Sequence, residues 1–420
     1  MAEGPFEGLN VVEFGQYVSI PYCAELFANG GADVVKIEPV TGDETRHNSR
    51  LIPGEGRQYI IKSRGKRGLP VDLGQEAGRD LARRLVDRAD VVLSNMRPGA
   101  LERLGLDYAS TRQRNPGVIF GEISAYGIEG PRGGLGAVDG AIQAYSGLMI
   151  SGKGWDDDHP LGSEAFLGDY MAAALLAFGV TTALNVRERT GAGQQVSTTL
   201  LQAALALQHG TANVFHGFDG WKDELVTDVA NGGSFEQALE RRRAMQPSDR
   251  WFYNTYATAD GFVTVAAPPP HHPALAAIMG LDDERLFLRD WQLPDDPRPM
   301  LRELSSMARE AMRQLRAADV IAACDEAGIP CAPVQTLEEA LLGEQASANG
   351  FAERFDHPAV GPVTMPSVPV NFSAAGYHTR HVSPAYGEHT TELMEELRYS
   401  SDDVARLVEN GVIGFEGTLD

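Results

Sequence analysis

A chain of 420 residues with 43% hydrophobic content is long enough for two domains with sizeable cores. Its 36 basic residues against 58 acidic ones give a net charge of −22. That excludes nonspecific nucleic-acid or anionic-membrane binding, although a local basic cluster can still hold an anionic ligand. Cys23, Cys324 and Cys331 form no CxxC pair and read as buried apolar residues of a protein in a reducing compartment. The opening MAEGPFEGLNVVEF lacks a basic n-region and a long apolar h-region, so no signal peptide is expected. The apolar stretch 171–184 is shorter than the ~20 residues that span a bilayer. A soluble, cytoplasmic protein without membrane association is the expectation.

Leu9 to Phe14 reads as a short strand, residues 21–30 as a helix opened by Pro21 and closed by Gly30, and Ala32 to Glu38 as a second strand. Strand, helix and strand within thirty residues make a βαβ unit. The pattern recurs with a helix over 75–88 and strands at Val91–Asn95 and Val118–Ile123. Their Val/Ile-rich runs fit a parallel sheet buried on both faces. Residues 165–188 predict a long Ala/Leu-rich helix ending in Arg187 and Arg189. Residues 216–250 show no clear period and read as linker and irregular chain. A hairpin follows, Trp251–Ala257 and Phe262–Val265 about Asp260-Gly261. Residues 274–328 read as helical, Ile329–Val334 and 351–372 as extended, and 390–398 and 402–409 as terminal helices. The fold class is α/β, with a large domain and a smaller central α+β domain.

The chain has no P-loop, no HExxH and no G-x-S-x-G elbow, and its run Gly130–Gly136 lacks the strand–GxGxxG–helix setting of a dinucleotide site. His271-His272 reads as an exposed loop, and no metal site is expected. Two features carry chemistry. Gly168-Asp169 opens the long helix, where a carboxylate is either an N-cap or first-turn acid, or a nucleophile kept ionised by free backbone N–H groups. The cluster Lys62–Gly68, with Arg97 and Arg103 after a strand, places cations where α/β sheets bind ligands, which favours a phosphate-bearing ligand.

Ordered short segments run through nearly the whole chain: Leu26–Glu38, Gly42-Asp43 with Arg46, Gly65-Lys66-Arg67 before Val71-Asp72-Leu73, Asn95-Met96-Arg97-Pro98-Gly99 before Arg103-Leu104-Gly105-Leu106, Asp139 and Gln143 before Ser146-Gly147-Leu148, Gly168-Asp169, Arg189–Gln194, Thr258–Gly261, Gly328-Ile329-Pro330 and Gly387–Thr390. Together they resemble class III CoA-transferases, the CaiB/BaiF family, of the formyl-CoA transferase type. The resemblance implies a Rossmann-like large domain built from residues 1–200 and 351–420. It implies linkers over 201–225 and 331–350, a small domain over 226–330, and an interlocked homodimer. Coenzyme A and acyl-CoA would be substrates, with a carboxylic acid acceptor and no tightly bound cofactor. Asp169 matches the nucleophile that forms an aspartyl mixed anhydride and then an aspartyl-CoA thioester. Arg97 and Arg103 would bind the CoA phosphates. Asp72, Leu73, Asn95 and Met96 would line the CoA site, and Asp139 would sit near the thioester.

Ile20 stands where the family often has Gly, which is expected to reshape the pantetheine channel. The four-glycine loop of formyl-CoA transferases is absent, so oxalate and formate are poor substrate guesses. An α-methylacyl-CoA racemase would need a His where Val138 stands, and valine carries no proton. A noncatalytic acyl-CoA-binding protein is the third reading. Trp251, Phe252, Tyr253 and Tyr256 are candidates for an acyl pocket or a domain core.

Overall fold

Short Val/Ile runs with apolar residues on both sides set the architecture. In the computed structural model, described for residues 4–151, 155–156, 159–210, 212–245, 250–289, 292–294 and 296–417, they become a six-stranded sheet. Its strands are β1 (Asn10–Phe14), β2 (Asp33–Glu38), β3 (Arg67–Pro70), β4 (Val91–Ser94), β5 (Ile119–Ser124) and β6 (Gln195–Thr199). Every pairing is parallel, in the order β3-β2-β1-β4-β5-β6. Successive side chains point to opposite faces. Val11, Val34, Val91 and Ile119 enter one core, and their neighbours Val12, Val35, Val92 and Phe120 the other. Each such buried aliphatic side chain contributes about 1.5–3 kcal/mol.

The first core is covered by α1 (Ser19–Asn29) and, further along the chain, by a 24-residue helix, Leu167–Thr190, and Leu200–Leu207. The second is covered by α2 (Glu76–Val86) and by the C-terminal residues Leu393, Met394, Leu397, Val412 and Ile413. Helix α1 starts two residues before Pro21, which is tolerated because the first N–H groups of a helix have no intrahelical partner. Gly30 caps it as expected, and Gly31 takes the left-handed backbone, at φ 96°. The long helix exceeds the apolar stretch read from sequence and is long and apolar enough, by length and composition, to cross a membrane. In this fold Ala172, Ala173, Leu176, Val180 and Ala183 bury one of its faces in the first core.

Strand β3 begins at the end of the basic cluster, at Arg67, and was not read from the sequence. The chain terminus completes its surroundings. Val71 bridges Ile413 antiparallel, the Asp72 N–H donates to Val412 O at 2.8 Å, and the Gly414 N–H donates to Pro70 O at 3.1 Å.

Two compact units result, Met1–Asn213 with Glu344–Asp420, and Val214–Gly343. In the first, residues 352–357 and 361–366 of the extended tract pair as an antiparallel hairpin. In the second, strands Tyr253–Ala257, Phe262–Ala266 and Cys331–Pro333 form an antiparallel sheet over a core containing Trp251, Tyr256, Val263 and Val265. The tract 216–250 is helical at Gly220–Ala230 and Phe235–Met245 rather than irregular. No residue of the first of these helices is buried in this unit, so its sequence carries no apolar period to read. His272 is buried against the Trp251 ring at 5.2 Å, not exposed in a loop.

Candidate active site

In a doubly wound sheet, neighbouring connections diverge to opposite faces where the strand order reverses, leaving a crevice at the carboxyl ends. Here that point lies between β1 and β4. The chain leaves β1 through Gly15–Val18, with Tyr17 held at φ 63°, a conformation non-glycine residues seldom adopt. It leaves β4 through Asn95–Gly99. The Asn95 side chain ties the two exits together. Its Oδ1 accepts the Gln16 N–H at 3.0 Å, and its Nδ2 donates to Gln16 O at 2.8 Å and Ser19 Oγ at 3.2 Å.

The crevice holds a cavity of about 340 Å³ walled by Tyr17–Ser19, Asn95–Pro98, Ile123–Ala125 and Leu135–Asp139, with Gln58, Lys62, Phe166, Asp169 and Leu200. Asp169 is the third residue of the long helix, which we call α3 (Leu167–Thr190), and the cap position belongs to Phe166. Asp169 is therefore a first-turn acid and not the N-cap. The Asp169 N–H donates to Asp139 Oδ1 at 3.0 Å, and the Gln143 amide donates to Asp139 Oδ2. Gly168 is required here, because a Cβ would lie 2.9 Å from Asp139 Oδ1.

Burial, reinforced by the Asp139 charge, pushes the Asp169 carboxyl up to about 6. Hydrogen bonds from Ser19 at the α1 N-terminus and the Lys62 charge oppose that rise. At about 6 the carboxyl is still mostly ionised at neutral pH, as expected of the nucleophile reading, although desolvation makes it a weaker acid than an ordinary aspartate. Its ionised form is correspondingly more basic, which suits a nucleophile.

Of the residues singled out from sequence, the fold brings Asn95, Met96, Arg97, Asp139 and Asp169 to this cavity. Arg103 is exposed one turn beyond Gly99, and neither it nor exposed Arg97 is ion-paired among the described residues. Asp72 and Leu73 lie instead past β3, at the sheet edge. There the Asp72 carboxylate accepts the Gly74 N–H at 2.9 Å and the Gln75 amide at 3.1 Å, and Leu73 packs on the second core. Ile20 is fully buried in the first core and does not line the cavity. Its Cγ2 would lie 2.5 Å from a Cβ on residue 15, so Gly15 makes room for Ile20.

The basic cluster proves to be mostly internal. Lys66 pairs with Glu13 at 2.7 Å, Arg64 with Glu25, and Arg67 with Asp33, Glu392 and Glu396. Ser19, Gln58, Lys62 and Phe166 reach the site without having been read as site residues. Only Lys62 had left a signal, as the first cation of that cluster.

The fold is that of a doubly wound α/β protein with a ligand cavity at the sheet's carboxyl edge, lined by a desolvated carboxylate. The chain belongs to CoA-transferase family III, which it matches over residues 6–390. It is 25% identical to (R)-2-hydroxy-4-methylpentanoate CoA-transferase of Clostridioides difficile, over 97% of this chain and 99% of that one. It is 28% identical to succinyl-CoA–D-citramalate CoA-transferase of Chloroflexus aurantiacus, over 97% and 98%. Among solved structures, a CaiB/BaiF family protein from Brucella suis superposes with a TM-score of 0.74 at 26% identity, covering 94% of this chain and all of that one.

Proposed function

We propose that this protein transfers coenzyme A from an acyl-CoA to a free carboxylic acid, with Asp169 as the covalent nucleophile. The observation that carries the reading is the buried Asp169 carboxylate, raised to about 6, on the wall of the switch-point cavity. Asp169 Oδ attacks the thioester carbonyl and expels CoA thiolate, giving a mixed anhydride. The thiolate attacks the aspartyl carbonyl and releases the donor acid, leaving an aspartyl-CoA thioester. An acceptor carboxylate then attacks that thioester and thiolate leaves again. Thiolate attack on the acceptor's carbonyl restores Asp169 and yields the new acyl-CoA. No step needs a net proton or ATP, because the bonds made and broken match in kind. Asp139 positions the nucleophile by accepting its N–H, and exposed Arg97 and Arg103 are suited to the CoA phosphates.

Racemisation would call for a proton carrier beside Asp139, and Val138 on the cavity wall has none. The family resemblance also supports a homodimer. The substrates named for the relatives are dissimilar acids, so the acid pair is sought by experiment. The protein is incubated with succinyl-, acetyl- and aromatic acyl-CoAs, quenched with hydroxylamine and digested. A hydroxamate at Asp169 is the expected result and names the donor. Its absence, with CoA binding intact, would replace this reading by a binding-only one.

A further inference from the structure

Among the buried cations near the sheet's carboxyl edge, one differs from the rest. Lys36 lies 2.9 Å from Glu13 and 2.8 Å from Asp43, Lys66 lies 2.7 Å from Glu13, and Arg46 grips Glu38 with two nitrogens. Lys62 is as buried as these, at 1% exposure, yet no carboxylate lies within ion-pair distance among the described residues. Its ammonium is met by the Gln58 side-chain carbonyl and by the Phe166 ring, whose centre is 5.9 Å away. Both of these side chains and Lys62 itself line the cavity into which Asp169 faces. A buried ammonium with one neutral hydrogen bond has donors left over, and leaving them unmet is costly. Here they are placed where a ligand enters.

We infer that Lys62 is the cation that binds the carboxylate of the acceptor acid, and of the departing donor acid, opposite Asp169. The inference rests on the transferase reading above. In that chemistry a free acid stands in the cavity twice, once leaving and once arriving, beside an aspartyl-CoA thioester. A monocarboxylic acyl-CoA, the type of donor used in the test below, presents only a neutral carbonyl there. A cation at this place therefore discriminates acid from thioester, and offsets the cost of bringing an anion past Asp139. The oxygen that attacks the aspartyl thioester is one of the two on that carboxylate, and the ammonium keeps its proton throughout.

The test compares wild type with Lys62→Met and Lys62→Arg, using a monocarboxylic acyl-CoA donor found by Asp169 trapping and varying the acceptor acid. For Lys62→Met the expected result is an acceptor KM raised at least about tenfold, the scale of a hydrogen bond to a charged group. Inhibition by the released acid should weaken in parallel, and the acyl-CoA KM should stay within about threefold. Lys62→Arg should recover part of the acceptor affinity. A merely structural lysine would move Tm down and both KM values together. In this reading Tm holds or rises on Lys62→Met, because a desolvated charge is removed.

An unchanged acceptor KM, or an equal rise in the acyl-CoA KM, overturns the inference. If wild type forms no Asp169 adduct, carboxyl-labelled butyrate and 3-phenylpropionate are titrated by NMR instead. Binding lost in Lys62→Met then supports the lysine and removes only the nucleophile reading. Binding that is absent from wild type, or equal in the two proteins, removes the lysine.

Discussion

Two groups of buried charges lie close together in the first unit and behave in opposite ways. Around Glu13, each ammonium has a carboxylate within 3 Å: Lys36 reaches Glu13 and Asp43, and Lys66 reaches Glu13. The group is closed and leaves nothing for a ligand. Around Asp169 the carboxylate takes hydrogen bonds from Ser19, Asp139 is held by an N–H and an amide, and Lys62 has no acid within ion-pair distance among the described residues. Both groups are buried, with Lys62 at 1% exposure and Asp169 at 8%, so burial alone does not distinguish scaffold from site. The unmet partner does.

The sharpest break of that contrast is removal of the open group's nucleophile. Asp169→Asn should lower CoA exchange at least ~10³-fold, the scale for losing a covalent nucleophile, in a coupled assay with the trapped donor. Breaking the closed group should instead unfold the protein more easily. Glu13→Gln strips Lys36 and Lys66 of a shared carboxylate and should cost about 3–5 kcal/mol in urea melts, the scale for one lost partner of a buried pair.

Stability should respond to Asp169→Asn with the opposite sign. The Asp169 carboxyl is raised from 3.8 to about 6 in the fold. A group raised in this way favours folding fully below its unfolded value, and that contribution is lost as pH rises through about 6. At pH 8 the variant should therefore be more stable than wild type by about 3 kcal/mol, at 1.36 kcal/mol per unit. Loss of stability there would mean that the carboxylate is paired after all.

Arg103→Ala should weaken CoA binding by about 1.5–3 kcal/mol in calorimetry if its guanidinium takes a phosphate. The smallest effect is on the pH profile. Turnover should rise as Asp169 ionises near 6, with Asp139, Ser19 and Lys62 facing it, and fall as Lys62 deprotonates. Burial lowers Lys62 to about 8, against Glu25, Asp169 and Asp43, which raise it, and Lys66, which lowers it further. Lys62→Met should remove the alkaline limb.

Much of this contrast was hidden in the sequence. The Val/Ile runs of β1, β2, β4 and β5 are legible because strands buried on both faces have no polar side to interrupt them. Gly168-Asp169 is a weak signal by itself, since an acid in a first helical turn usually serves the helix dipole, and it stands out only through the family resemblance. Strand β3, Arg67-Gly68-Leu69-Pro70, carries no such run. The basic cluster looked like a ligand patch because its partners Glu13, Glu25, Asp33 and Glu392 lie elsewhere in the chain. Local spacing cannot say which cations a fold will neutralise. The role of Lys62 emerges only when β1, α1 and α3 are brought together.

The pairing of residues 412–414 with 70–72 sets the order in which the molecule can be finished. The strand and the segment that covers it lie far apart in sequence, so a long loop must close before the β3 edge is protected. Until it closes, the chain presents an open strand edge and uncovered aliphatic side chains, which invites pairing with other chains.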